Sequence, residues 1–261
     1  MANAEAVLKK RGFGATSRRD AWWMQPLFTF LGLLAFIVYS TWAAFQGEFY
    51  TYGPYLSPMY SPELFGASSH SIFGPKPDWW PGFLPFSPAF LILWAPAGFR
   101  LTCYYYRGAY YKAFWGDPPS CAVAEMRKGY RGENSLPLIL QNVHRYFLYL
   151  ALAFIFILGY DAIKGFFFED GFGIGVGSLV LTMNVVLLGG YTLGCHSLRH
   201  LIGGRLKLIS KAPTQKKGYY CVSALNRKHM LWAWMSLFWV GFTDIYVRLC
   251  AMGVWTDWRI L

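Results

Sequence analysis

The sequence predicts an all-α integral membrane protein: a bundle of five transmembrane helices, N-terminus in the cytoplasm and C-terminus outside. Three observations lead there. Only 14% of the residues are charged and 55% are hydrophobic, whereas a soluble domain carries about a quarter charged residues. Apolar runs of roughly 20 residues, long enough to cross a bilayer, recur along the chain. Lys and Arg collect in alternate segments: 5, 5 and 8 in residues 1–20, 107–136 and 199–228, against 1, 1 and 2 in 47–86, 160–171 and 248–261. That asymmetry orients a membrane protein with its basic loops inside.

Residues 1–20 are polar and basic, without the apolar core of a cleavable signal peptide. They read as a flexible cytoplasmic tail on a single domain of residues 21–261. The first span covers about 26–45, opened by the interfacial aromatics Trp22 and Trp23. Residues 47–86, rich in Pro, Gly, Ser, Tyr and Trp, read as an aromatic lid on the outer surface. The second span, about 88–106, contains Pro96 and Gly98, which predict a kink, and Arg100 near its inner end. The third is about 138–163. The fourth, about 172–198, is glycine-rich, so neighbouring backbones can approach closely. The strongly basic segment 199–228 reads as a loop, and the fifth span is about 229–250. The net charge of +11 lies in loops between spans, so it reads as topology and no nucleic-acid partner is expected.

That topology gathers the ligand-type side chains in one layer. Cys103 closes the second span on the inside, Cys121 follows in the inner loop, and His144 lies near the inner start of the third span. The fourth ends in GCHSLRH, with Cys195, His196 and His200, and His229 opens the fifth. Thiolates with imidazoles favour zinc or iron–sulfur chemistry. His196 and His200 are spaced to share one helix face. His70, Cys221 and Cys250 read as incidental, and the cysteines follow no disulfide framework. Arg100, Arg145 and Arg199 share the layer, either snorkelling to lipid phosphates or supporting a quinone head or an acidic partner. A haem b is the alternative: His144 with His200, or His196 with His229, would supply two axial ligands. A small transporter is less favoured, because the mid-bilayer positions are nearly free of polar residues apart from Thr182 and Asn184, with Asp244 further out.

The segments RLTCYYYRGAYYKAFW (100–115), PPSCAVAE (118–125), LPLILQNVHRYF (136–147), GGYTLGCHSLRHLIGG (189–204) and NRKHMLWAW (226–234) resemble the membrane-anchor subunit of the actinobacterial, mycobacterial-type succinate dehydrogenase 1. The resemblance runs from about residue 22 to 248, without the long outer loop. It implies a multi-pass subunit of a bacterial cytoplasmic membrane. Its partners would be a flavoprotein carrying FAD and an iron–sulfur subunit with further clusters, in a complex open to higher oligomerisation. It further implies electron transfer through a Rieske-type [2Fe–2S] cluster in the anchor to a quinone, menaquinone or ubiquinone. Such a cluster takes two Cys and two His. By the resemblance Cys103 and Cys121 are the favoured thiolates, while His144, His196, His200 and His229 stay unranked and the usual Rieske ligand boxes are absent. A quinone head near the cluster would draw on Trp23, Gln25, Arg100, Gln141 and Arg145. Loop 107–136 and the N-terminal tail, with Arg127, Lys128 and Arg131, are expected to dock the iron–sulfur subunit.

Overall fold

The computed structural model describes residues 12–126, 138–204 and 206–261. Arg127, Lys128 and Arg131 lie outside the described residues. Four helices there are long and apolar enough to cross a membrane: Met24–Gln46, Ile139–Lys164, Val176–Leu193 and His229–Ala251. They match the first, third, fourth and fifth predicted spans. The first, α1, is Met24–Gln46.

The predicted second span is a broken run: α2 (Pro88–Ile92), α3 (Trp94–Leu101) and α4 (Tyr104–Tyr110), which ends in a π-turn over Tyr111–Trp115. The first break has a cause in the sequence, since Pro96 has no N–H to give to the Ile92 carbonyl four residues back and its ring crowds that carbonyl. At the second break Cys103 is extended, with φ −62° and ψ 131°, and the carbonyl of Thr102 accepts from Gln141 Nε2 at 3.2 Å.

A 3₁₀ turn (Leu138–Val143) leads into α5 (His144–Lys164). Then come α6 (Val176–Leu193), α7 (His196–Gly203), α8 (Pro213–Asn226) and α9 (His229–Ala251). The fourth span is therefore shorter than 172–198: α6 stops at Leu193 and a new helix starts after Cys195. The basic segment read as a loop contains most of a helical hairpin, α7–α8.

The chain forms two compact units, Met1–Val38 with Arg100–His144, and Tyr39–Phe99 with Arg145–Leu261. In the first, residues 12–20 are held rather than loose. Gly14 N donates to Ala124 O and Ala124 N to Ala15 O, both at 2.9 Å. Thr16 Oγ1 donates to Ala122 O at 2.7 Å, and Arg18 reaches Ser120 Oγ and Cys121 O at 2.8 Å each. Gly116, left-handed at φ +56°, ends the π-turn; a Cβ there would sit 2.5 Å from the Phe13 ring.

In the second unit α6 packs along α9, and the segments expected outside the membrane meet at one end. A hairpin of β1 (Thr51–Tyr52) and β2 (Tyr55–Leu56) pairs Thr51 with Leu56. Tyr55 is fully buried, its ring over Gly177, where a Cβ would stand 2.4 Å away. The Tyr55 phenol donates to Asp257 at 2.7 Å, and Asp257 also accepts from Tyr246 OH at 2.5 Å and Gly177 N at 2.8 Å. A second short hairpin, β3 (Phe167–Phe168) and β4 (Gly171–Phe172), follows α5. The C-terminal strand end bonds to Ile174, and Arg259 pairs with Asp170.

Three carboxylates are buried at this end of the second unit. Asp244, on α9, accepts from Tyr39 OH at 2.5 Å and from Ser57 Oγ, and pairs with Arg248 at 3.4 Å. Arg248 in turn donates to Glu48 O at 2.8 Å and lies 5.3 Å over the Trp42 ring. Glu63 accepts from Tyr50 OH and Ser68 Oγ, and Asp161 from Ser61 Oγ. The expected lid is thus partly a plug: Tyr50, residues 55–61 and Glu63 are buried and tied to the bundle, while Phe73, Trp79 and Phe83 further along are exposed.

Candidate functional site at the helix breaks

Five of the seven expected ligand residues, Cys103, His144, Cys195, His196 and His229, fall at helix beginnings. In the first unit, His144 is the first residue of α5 and Cys103 precedes α4; they are 7% and 2% exposed. Thr102 Oγ1 lies 2.9 Å from His144 Nδ1. A threonine hydroxyl can accept from Nδ1–H, which fixes the orientation and tautomer of the ring. Fixing one imidazole nitrogen in this way is what metal-binding histidines need from their surroundings.

Gln141 stands one turn before His144. Its amide nitrogen is spent on Thr102 O, but its Oε1 is buried with no hydrogen-bond partner among the described residues. Arg100 Nη1 donates to Tyr106 OH at 2.7 Å, and Tyr106 is buried. Arg100, Thr102, Tyr106, Gln141 and His144 thus lie within one unit. Trp23, Gln25 and Arg145 are exposed along α1 and α5. Cys121 is exposed on the loop gripped by Arg18.

In the second unit Cys195 is 2% exposed, in extended backbone (φ −69°, ψ 141°) before α7, and its Sγ accepts from Ser197 N at 3.4 Å. A backbone N–H aimed at sulfur stabilises the thiolate. Asn226 Nδ2, at the end of α8, caps the neighbouring Gly194 carbonyl at 2.7 Å. His229 opens α9, half-buried, its ring stacked on Tyr191 with centroids 5.1 Å apart. His196 and His200 sit one turn apart on α7, as their spacing predicts, and both are exposed.

The seven candidates therefore divide by burial: Cys103, His144 and Cys195 are buried, His229 partly, and Cys121, His196 and His200 exposed. Among the described residues no three His, Cys, Asp or Glu side chains gather as a metal-binding group. The donor types and their burial suit an iron–sulfur cluster, but the arrangement does not choose its ligands.

The model of the family described as actinobacterial succinate dehydrogenase subunit SdhC matches residues 24–253. The chain belongs to this family. It is the membrane-anchor subunit of a succinate dehydrogenase complex, a multi-pass protein of the cell membrane. A solved structure titled Mycobacterium smegmatis Sdh1 complex in the apo form contains a chain 48% identical to it. The two superpose with a TM-score of 0.87, and the match covers 94% of each chain. No curated protein matches the chain. The match spans all five motif segments that carry the resemblance, the Cys103 and Cys195 breaks included.

Proposed function

We propose that this anchor passes electrons from an iron–sulfur subunit, itself fed by a flavoprotein, through a Rieske-type [2Fe–2S] centre to a quinone at the cytoplasmic interface. The carrying observation is that Cys103 and Cys195, from two separate motifs, are both 2% exposed in extended backbone just before a helix. Cys250, equally buried, lies inside α9, whereas Cys103 and Cys195 each stand where the helix run breaks, in segments that carry the resemblance. Cys103 and Cys195 are the buried thiols of the candidate pool and His144 is its buried imidazole, with His229 half-buried; Cys121, His196 and His200 are the exposed remainder. The cluster would supply one-electron transfer at a potential raised by its two imidazole ligands.

The chain's own residues do the rest. Thr102 holds the His144 ring through Nδ1. Gln141 Oε1 is an acceptor without a donor among the described residues, which a quinol hydroxyl would satisfy, and leaving it bare costs about 1–3 kcal/mol. Arg100 and Tyr106 lie in the same unit. Five spans are proposed, with the broken α2–α4 run as the second, the N-terminus inside and the C-terminus outside. The assembly of residues 50–63, Asp170 and the C-terminal end supports this alternation, since the Lys and Arg count assigns all three segments outside.

The test is an activity split in the purified complex. Cys103→Ser and Cys195→Ser should each lower succinate:quinone reductase activity at least about 100-fold, while succinate oxidation by an artificial dye stays within about twofold. Gln141→Leu should raise the quinone KM several-fold with the dye reaction unchanged, the signature of a lost ground-state contact. Equal loss of the quinone and dye reactions in all three variants would reject the reading.

A further inference from the structure

The basic residues of the hairpin between α6 and α9 take no part in the function proposed above. From Gly171 to Thr243 the chain has no Asp or Glu, yet residues 199–228 carry 8 Lys and Arg. The hairpin is a built element. Arg199 on α7 donates to Tyr219 OH on α8 at 2.6 and 3.1 Å, and a Cβ on Gly203 would stand 2.5 Å from the Tyr219 ring. Val222 is buried beneath α8. With those contacts made, Lys207, Lys211, Lys216, Lys217, Arg227 and Lys228 are all exposed, and so are Leu201, Leu208 and Tyr220 beside them.

The hairpin's height is set by its ends. Asn226 caps the Gly194 carbonyl just past the end of α6, and α8 stops at Asn226 while the span α9 starts at His229. Both ends are therefore at the boundary of apolar spans. A basic cluster directly beside a transmembrane helix faces the lipid phosphates first, and each cation near an anionic surface contributes about 1 kcal/mol. Leu208 and Tyr220 suit the depth just below those phosphates, with the lysine stems reaching past them. A soluble acidic partner would match the cations but would leave these apolar side chains unused.

We propose that the α7–α8 hairpin lies on the cytoplasmic leaflet and binds anionic phospholipid headgroups through Lys207, Lys211, Lys216 and Lys217. The leaflet assignment rests on the orientation proposed above; the binding does not.

The intact complex in detergent, mixed with phosphatidylglycerol or phosphatidylcholine, reports binding through the lipids retained in native mass spectrometry. Phosphatidylglycerol should be retained at least about tenfold better, and this preference should fall as salt rises from about 50 to 500 mM. At about fivefold per cation, discounted for screening, the K207Q/K211Q/K216Q/K217Q variant should bind phosphatidylglycerol about 30-fold more weakly. Its soluble subunits should stay attached, and the four Lys→Arg changes should restore binding. No lipid preference in the wild type, or unchanged retention in the Lys→Gln variant, would overturn the proposal. So would release of the soluble subunits with lipid retention intact, which would make the hairpin a protein-docking surface. Cys221, exposed on α8, reads the orientation separately. A membrane-impermeant maleimide should label it in inverted vesicles and not in right-side-out ones; the reverse would overturn the leaflet while leaving the binding measurement standing.

Discussion

At the scale of single residues, the end of the second unit that holds the C-terminal residues is organised by carboxylates rather than by its many aromatic rings. Asp244 and Arg248 are 0% and 3% exposed and hold each other, Tyr39, Ser57 and the Glu48 carbonyl. A buried pair adds little net stability over an apolar equivalent, but removing one member strands the other and costs about 3–5 kcal/mol. Asp244→Ala should therefore lower the thermal unfolding temperature of the complex by several degrees at fixed scan rate. Asp244→Ala with Arg248→Met should recover much of that loss, because no bare charge remains. A double variant as unstable as the sum of its parts would contradict the pairing.

Among elements, the decisive contacts are those that let α6 and α9 close together. In a bilayer no hydrophobic force drives helices together, so small residues at the seam matter. Gly190 meets the Trp232 ring, where a Cβ would stand 2.6 Å away, while its neighbour Gly189 has nothing within 4 Å. Gly190→Ala should destabilise by about 1–3 kcal/mol through overpacking, with Gly189→Ala near neutral, both read by thermal unfolding of the complex. Equal effects at the two positions would count against the packing described.

These elements were unequally legible. The four long spans follow from length and hydropathy alone, and Pro96 announced one break of the second. The break at Cys103 has no marker, because it depends on Gln141, 39 residues away, reaching the Thr102 carbonyl. The end of α6 at Leu193 was equally hidden: the apolar pattern continues through it, and Asn226 supplies the cap from another helix. The α7–α8 hairpin was missed because hydropathy assigns basic polar stretches to loops, although Pro213 at the first turn of α8 is a helix-start signal that was there to find. Cys195, grouped in the sequence with six other donors, is set apart only by its burial. Cys121, favoured by resemblance, is exposed. The Asp257 junction of Tyr55, Tyr246 and Gly177 joins residues up to 202 positions apart, beyond any local pattern.

For the molecule as a whole, the division of labour follows from where polarity is spent. One set of buried polar groups, around Asp244, Glu63, Asp161 and Asp257, fastens the loop 50–63 and the C-terminal end. The other polar residues of interest, at the breaks before α4, α5, α7 and α9, are thiols, imidazoles and a glutamine rather than fixed charges. On the function proposed above, the second set carries the redox chemistry and the first is rigid scaffolding. Electron paramagnetic resonance of the dithionite-reduced complex tests this most directly. The account predicts a Rieske-type [2Fe–2S] signal, in addition to those of the iron–sulfur subunit, that disappears in Cys103→Ser and in Cys195→Ser while the soluble subunits remain attached. A complex with no such signal and a haem b absorption band instead, or a signal that survives both substitutions, would contradict it.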